Sequence, residues 1–414
     1  MGMKVRAILI AAVLLMTAWL SGCGHYTCGA TFGNSSCTSS GSGLSQGGST
    51  TTNAFVYAVD TLGTLDGYTL TTGGSSGGSF GPNGLTGPTI PKNDVGGGML
   101  VVKNQYLYVT FPITQQIYGY TISSGGQLTA LSGFPLTLTF LAGVGNSGNG
   151  RLSVVANPAG TFMFFADALS DQIYVYSIGS SGGLTPVSGS PFSAGASLGG
   201  MTIDGLGKYL YAIENGDSIG AFTIGSTGAL TAVAGSPFVY PMAQIVGEPS
   251  GKYLIGTTGT NVGSGQDNDQ LYTFSITQSG SSAGAISLTS TTVTQFSPFS
   301  IAVQSQTNGN LLYSFSINDT DTGFNGIEGY SITASTGALA MDSGSPFTDV
   351  TLGSWGQFDP SGAFVFDYSE VVNSDGSITV TLGALQVGTG GALTQPTSST
   401  TLVTPGMWTV TDVP

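Results

Sequence analysis

From Ala54 onward, apolar and polar residues alternate in short runs with a period of two. Ile173 and Val175 alternate with Tyr174 and Tyr176, and Lys208-Tyr-Leu-Tyr-Ala212 continues the theme. A period of two places alternate side chains on opposite faces of a strand, so these runs predict β-strands. Beyond the N-terminal segment no stretch carries the 3.6-residue period of an amphipathic helix. The strands come in units. One reads Asp204-Gly-Leu-Gly-Lys-Tyr-Leu-Tyr211, Ile219-Gly-Ala-Phe-Thr-Ile224 and Gly228-Ala-Leu-Thr-Ala-Val-Ala-Gly-Ser-Pro-Phe238. The preceding unit repeats it in Asn157–Phe164, Ile173–Ile178 and Gly183–Phe192. Repeats of about 40–50 residues built from short strands predict a β-propeller.

Each unit parses into four strands, A to D. Between A and B lies a tight turn: Asn157-Pro-Ala-Gly160, Asp204-Gly-Leu-Gly207, Glu248-Pro-Ser-Gly251 and Asp359-Pro-Ser-Gly362. The acid or amide can bond nearby backbone N–H groups, Pro sets φ, and Gly accepts positive φ. A Gly-Ser-Pro-Phe element recurs at 189–192, 235–238 and 344–347. It is expected to end strand D and to wedge its Phe between neighbouring units. A strands are expected near Met99, Leu152, Met201, Ala243, Ser300, Ser354 and Met407. The repeat region opens on a B-like strand, Ala54–Asp60, and closes on a lone A-like strand, Gly406–Asp412. The expected fold is therefore all-β, a seven-bladed β-propeller of four-stranded blades, its ring closed by the C-terminal strand joining the first blade. Closure removes exposed sheet edges.

The phrases Lys-Tyr-Leu-Tyr, Ile-x-x-Tyr-Ser-Ile and Gly-x-Leu-Thr-x-Val-x-Gly-Ser-Pro-Phe resemble those of lactonase-type seven-bladed propellers, close to the YVTN repeat proteins. The resemblance covers residues 53–414. It implies a propeller fold and a family that includes 6-phosphogluconolactonases and muconate-cyclising enzymes, whose sites use His, Arg and Glu near the central channel. Here the only histidine is His25 and the body has one arginine, Arg151.

The N-terminal segment reads differently. Lys4 and Arg6 precede an apolar run from Ile8 to Trp19, followed by Leu20-Ser-Gly-Cys23. That order is an export signal, and the last four residues resemble the box of a bacterial lipoprotein, implying a signal peptide over 1–22 and a lipidated Cys23. Gly24 follows it, and outer membrane or cell surface is favoured over inner membrane. Acyl chains would make the membrane the first partner. Residues 23–52 are a Gly/Ser/Thr-rich tether. Cys28 and Cys37 within it are a candidate disulfide in an oxidising compartment, with two free thiols as the alternative. The propeller spans 53–414.

Charge narrows the partners. Five bases (Lys92, Lys103, Arg151, Lys208, Lys252) face 21 acids beyond the signal, a balance of −16. Nucleic acid needs clustered Lys and Arg and is not expected. A monomer binding a protein or carbohydrate ligand is the expectation. Trp355 and Trp408 each stand four residues before an aspartate, on A strands of adjacent blades, and suggest a paired platform for a sugar ring; the alternative is that they fill the core. Arg151 opens an A strand and could take a carboxylate, or neutralise a nearby acid. Asp319-x-Asp321-x-Gly323, with Asp267 and Asp269 in a neighbouring B–C connection, offers oxygen ligands to Ca²⁺ without a full calcium-loop pattern. Apart from that ion no cofactor is expected, and no catalytic residue is assigned. With no histidine in the body, the Gly-x-Ser-x-Gly matches at 74–78 and 179–183 cannot be serine triads. The expected role is a membrane-tethered binding scaffold, more a non-enzyme than an enzyme. The alternatives are a lactone hydrolase of altered mechanism and a cell-envelope structural protein.

Overall fold

The computed structural model describes residues 51–59, 63–72, 79–85, 90–91, 97–138, 140, 152–258, 270–304, 310–316, 326–347, 355–372, 378–394, 400–402 and 407–412. They form seven antiparallel sheets. Within each sheet the chain runs outward from an inner strand A to an outer strand D. Blade 4 shows the plan: Leu198–Ile203, Tyr209–Glu214, Ser218–Ile224 and Leu230–Ala232. The other inner strands are Met99–Val102, Leu152–Ala156, Gln244–Gly247, Ser300–Val303, Trp355–Phe358 and Met407–Asp412. Each touches the next around the axis, and the last returns to the first. The predicted seven-bladed propeller is the fold.

Closure occurs as expected. Met407–Asp412 pairs antiparallel with Thr51–Val59, Ala54 opposite Asp412 and Val59 opposite Met407. Blade 1 therefore takes its inner strand from the far end of the chain. The A strands begin within three residues of their expected starts.

Seven apolar clusters fill the seven blade interfaces, because both faces of each sheet are covered by a neighbour. Ala212, Leu210 and Met201 of blade 4 pack on Phe164 and Val175 of blade 3. Tyr211 and Ile213, one residue out of phase, pack on Leu254 and Phe274 of blade 5. Four buried tyrosines add a polar lock. Tyr57, Tyr108, Tyr211 and Tyr313 each donate to the carbonyl of a C–D-turn glycine in the following blade: Gly126, Gly182, Gly284 and Gly391. In blade 5 Ile255 takes the tyrosine's place, and the hydroxyl of Thr273, opposite it on strand C, reaches Gly337 O instead. Burial pushes the phenols above their usual range, so they remain neutral donors.

The A–B turns follow the sequence logic. Asp204 accepts the amides of Leu206, Lys208 and Tyr209, and Asn157 accepts those of Thr161 and Phe162. The Gly-Ser-Pro-Phe element does more than end strand D. Its Ser accepts an amide of strand C (Val175, Ala221 and Gly329), and its Phe pairs with the same strand beyond the end of D. The Phe rings do pack at blade interfaces: Phe347 belongs to the apolar cluster that joins blade 6 to Val365 and Leu385 of blade 7.

Candidate functional site

Strand B leaves the A–B turn on one face of the ring and ends on the other, where the B–C and D–A connections meet the axis. On that second face blade 4 departs from its neighbours. Its inner strand bulges between Leu198 and Met201, taking Gly199 and Gly200 out of the ladder and leaving them half-exposed. Bulges re-aim a strand and recur beside active sites. Opposite Leu198 stands Glu214, the last residue of strand B, 6% exposed. Its Oε1 accepts the Gly195 amide at 3.0 Å. A Cβ on Gly195 or on Gly220 would fall 2.0 Å from a Glu214 carboxylate oxygen, so a side chain at either position would push the carboxylate out of this place. Burial raises the Glu214 pKa above the ordinary carboxylate value, the Gly195 bond lowers it in part, and Asp217 in the adjoining turn raises it again. The result is a held, partly desolvated carboxylate that takes a proton more readily than a surface glutamate.

Comparing blades shows why this position matters. Opposite the fourth residue of strand B, blades 2, 3 and 5 place Tyr118, Tyr174 and Tyr272. Each donates its hydroxyl to the glutamine two residues earlier, Gln116, Gln172 and Gln270. Blade 4 has Gly220 there, and the Glu214 carboxylate fills the space. Blade 6 has Glu328 itself, whose Oε1 accepts the Gln295 amide at 2.9 Å. In blade 7 the glycine is Gly383, and the acid is Asp367 directly across the ladder. Glu328 and Asp367 are fully buried. The same inter-blade niche thus receives a carboxylate from three different strand positions. No single-position motif reveals it. The legible trace is an acid inside a strand whose counterparts read Gln-Ile-Tyr.

The residues singled out from sequence fare unevenly. Arg151, Asp267, Asp269, Asp319, Asp321, Cys23, Cys28 and Cys37 lie outside the described residues. Trp355 and Trp408 do sit on neighbouring inner strands, in blades 7 and 1. Their expected equivalence does not hold. Trp408 pairs with Ala58, one residue beyond Tyr57, whereas Trp355 pairs with Tyr368, two residues beyond Phe366, which holds the place of Tyr57 in blade 7. Gly356 is the structural counterpart of Trp408. Counting back from an aspartate missed this because Thr411, not Asp412, occupies the register of Asp359. Asp167 and Asp171 are engaged locally: Asp167 accepts from Leu169 and Ser170, and Asp171 from Ser197. Among the described residues no group of three or more His, Cys, Asp or Glu side chains is placed to hold a metal.

The fold defines the class first: a seven-bladed propeller of the lactonase-like shape. No family model matches the chain, and no curated protein is similar to it in sequence. Solved structures are. A protein from Lactobacillus plantarum matches with a TM-score of 0.62 at 15% identity, covering 87% of this chain and 99% of its own. A putative 6-phosphogluconolactonase from Bacteroides uniformis matches at 0.61 and 15%, with 87% and 99% covered. The periplasmic gluconolactonase of Pseudomonas aeruginosa matches at 0.59 and 14%, with 88% and 100% covered. These matches correct the expectation of a non-enzymatic binding or structural scaffold. Propellers that match over their whole length carry the names of lactonases, which favours the alternative. The case against an enzyme rested on missing histidine and arginine, and a raised, buried glutamate such as Glu214 can do base chemistry without either.

Proposed function

We propose that this protein is a lactone hydrolase acting on unphosphorylated sugar lactones, with its reaction centre beside Glu214. The observation that carries the reading is Glu214 itself, a carboxylate of raised pKa held by Gly195 N–H beside the half-exposed Gly199–Gly200 bulge. The whole-length likeness to propellers named as lactonases supports the reaction class. The charge balance supports the substrate class, since a phosphorylated lactone calls for several cations and the chain beyond its signal has five bases in all.

In this reading Glu214 takes a proton from water as the water oxygen adds to the lactone carbonyl carbon. The ring C–O bond then breaks, and the departing ring oxygen receives that proton. Lactone and water become one open hydroxy acid. The glycine bulge lets the substrate carbonyl approach the main chain closely. The test is hydrolysis of δ-gluconolactone and its 6-phosphate against the uncatalysed rates. Expected are turnover of the neutral lactone and a loss in kcat of about 10²-fold or more in Glu214→Gln. Activity should fall as pH drops through the raised Glu214 pKa, because only the carboxylate accepts a proton. No turnover above background with any neutral lactone would end the proposal.

We propose further that the enzyme is exported and held by lipid on Cys23. The Leu20-Ser-Gly-Cys23 box and the Gly/Ser tether after it support this. Cys23→Ser is expected to abolish labelling by a palmitate analogue and to move the protein out of the membrane fraction. Unchanged fractionation of that variant would refute the anchor.

A further inference from the structure

The chain that joins blade 3 to blade 4 runs past Glu214 inside a frame of hydrogen bonds, and one residue of blade 3 supplies half of that frame. Asp171 closes the B–C turn of blade 3, between Phe162–Asp167 and Gln172–Ile178. Its carbonyl accepts the Ala194 amide at 3.0 Å, and its carboxylate accepts the Ser197 amide at 2.8 Å. Gly195, whose amide holds the Glu214 carboxylate, lies between these two attachments. From blade 4 the Asn215 amide donates to the carbonyls of Ala196 and Ser197 at 2.9 and 3.2 Å. The direction of the Gly195 N–H is therefore set from both blades.

The two bonds of Asp171 differ in kind. In blade 2 the carbonyl of Gln115, also the residue before strand C, accepts the Leu138 amide at 2.9 Å. The main-chain attachment thus recurs in another blade. The carboxylate bond is not shared by blade 4, where Asp217 holds the same place and accepts from Asn215 and Ser218 of its own turn. Asp171 instead reaches out of its turn to Ser197. Ser197 has a φ of 49°, and among the described residues no other non-glycine residue of a D–A connection has a positive φ. That conformation is strained for a residue with a Cβ and persists where its surroundings impose it; such strain gathers at functional sites. Here the Asp171 carboxylate is one of the groups that impose it.

We propose that Asp171 is a positioning residue for the reaction centre: its carboxylate fixes the segment that carries the Gly195 amide, and through that amide it holds Glu214 in place to take the proton of the attacking water. Its part in catalysis rests on the reading of Glu214 as the base. The Gly195 bond favours the charged form of Glu214, so a loosened segment leaves Glu214 protonated to higher pH. The other titratable groups around Glu214 are few. Asp217 stands in its own turn, and Asp167 lies with Asp171 in the turn of blade 3. Residues 193–200 and strand C of blade 4 contribute none. Tyr174 and Tyr176 pack toward blade 2, and Tyr209 and Tyr211 toward blade 5.

Two substitutions suit the φ of Asp171, which is 57°. Asp171→Gly removes the carboxylate and keeps the carbonyl; Asp171→Asn removes the charge and keeps an oxygen that can accept from Ser197. The full chain, both variants and Glu214→Gln are titrated by carboxylate-carbon NMR, with the Glu214 signal identified by its loss in Glu214→Gln. Hydrolysis of δ-gluconolactone is followed against pH in parallel. In Asp171→Gly, Glu214 should titrate at higher pH, the acidic limb of kcat should move with it, and kcat should fall about tenfold with little change in KM. Asp171→Asn should stay near the parent in both readouts. An unchanged Glu214 titration in Asp171→Gly would overturn the positioning role whatever the activity. A shift to lower pH in both variants would overturn it as well, because the charge of Asp171 and not its hold on Ser197 would then act on Glu214. The titration needs no turnover. A parent chain without lactonase activity would end the lactonase reading, and the titration alone would still decide whether Asp171 positions Glu214.

Discussion

At the scale of single residues, two buried polar groups make opposite contributions. Tyr211 is fully buried and donates to Gly284 O at 3.0 Å across a blade interface. Tyr211→Phe keeps the ring and leaves the carbonyl unpaired, which should cost about 1–2 kcal/mol in urea unfolding. Destabilisation under a few tenths would show that the lock adds nothing to packing. Asp342 is the reverse case. It occupies the place of Val187 and Val233 in blades 3 and 4, accepts a short bond from Ser331, and buries an unpartnered Oδ2. Burial raises its pKa, and the Ser331 bond opposes this only in part. The folded chain therefore holds that proton more tightly than the unfolded chain. Its contribution to stability is fully present below the unfolded value of 3.8 and is lost as pH rises through the folded one. Asp342→Val should be more stable than wild type at pH 7 by about 1 kcal/mol, the lower end of the cost of an unpaired buried acceptor. The gain should shrink toward pH 4. A gain independent of pH would point to simple apolar packing instead.

At the scale of elements, the Gly-Ser-Pro-Phe repeat and the closing strand show how far local pattern carries. The repeat's Ser caps a strand C amide and its Phe extends the sheet, a role invisible in the tetrapeptide because the bonded amide lies about 15 residues upstream. The closing strand was legible from a count: seven A strands, with a B strand first. Met407–Asp412 supplies the inner strand of blade 1, so its removal bares the edge of Thr51–Val59 and the interfaces with blades 7 and 2. Deleting residues 405–414 should lower the melting temperature and broaden the transition, followed by circular dichroism. A variant that melts like the parent would show that the ring holds without its clasp. The register of the two tryptophans was not legible, since one residue of slippage in blade 1 depends on how the two chain ends meet.

At the scale of the whole molecule, the ring separates two faces. Strand B of blade 1 starts at the A–B turn side, where Ala54 stands opposite Asp412. Lys103, Lys208 and Lys252 mark the same side. Glu214 and the glycine bulge open on the other. The fold was almost wholly readable from residues such as Asp204, Tyr209 and Phe238, because each blade repeats the same local chemistry: period-two strands, an acid-capped turn, a glycine of positive φ. The candidate site was not. Glu214, Glu328 and Asp367 occupy equivalent niches in three different blades, reached from three strand positions, and the pKa of Glu214 depends on its burial, on the Gly195 amide and on Asp217 lying close in space. Local alternation and turn chemistry determine that this chain makes seven blades and closes them. Which acids are buried, which are held by an amide, and which can take a proton was decided by the packing of blade on blade, because desolvation is a property of neighbours and not of sequence.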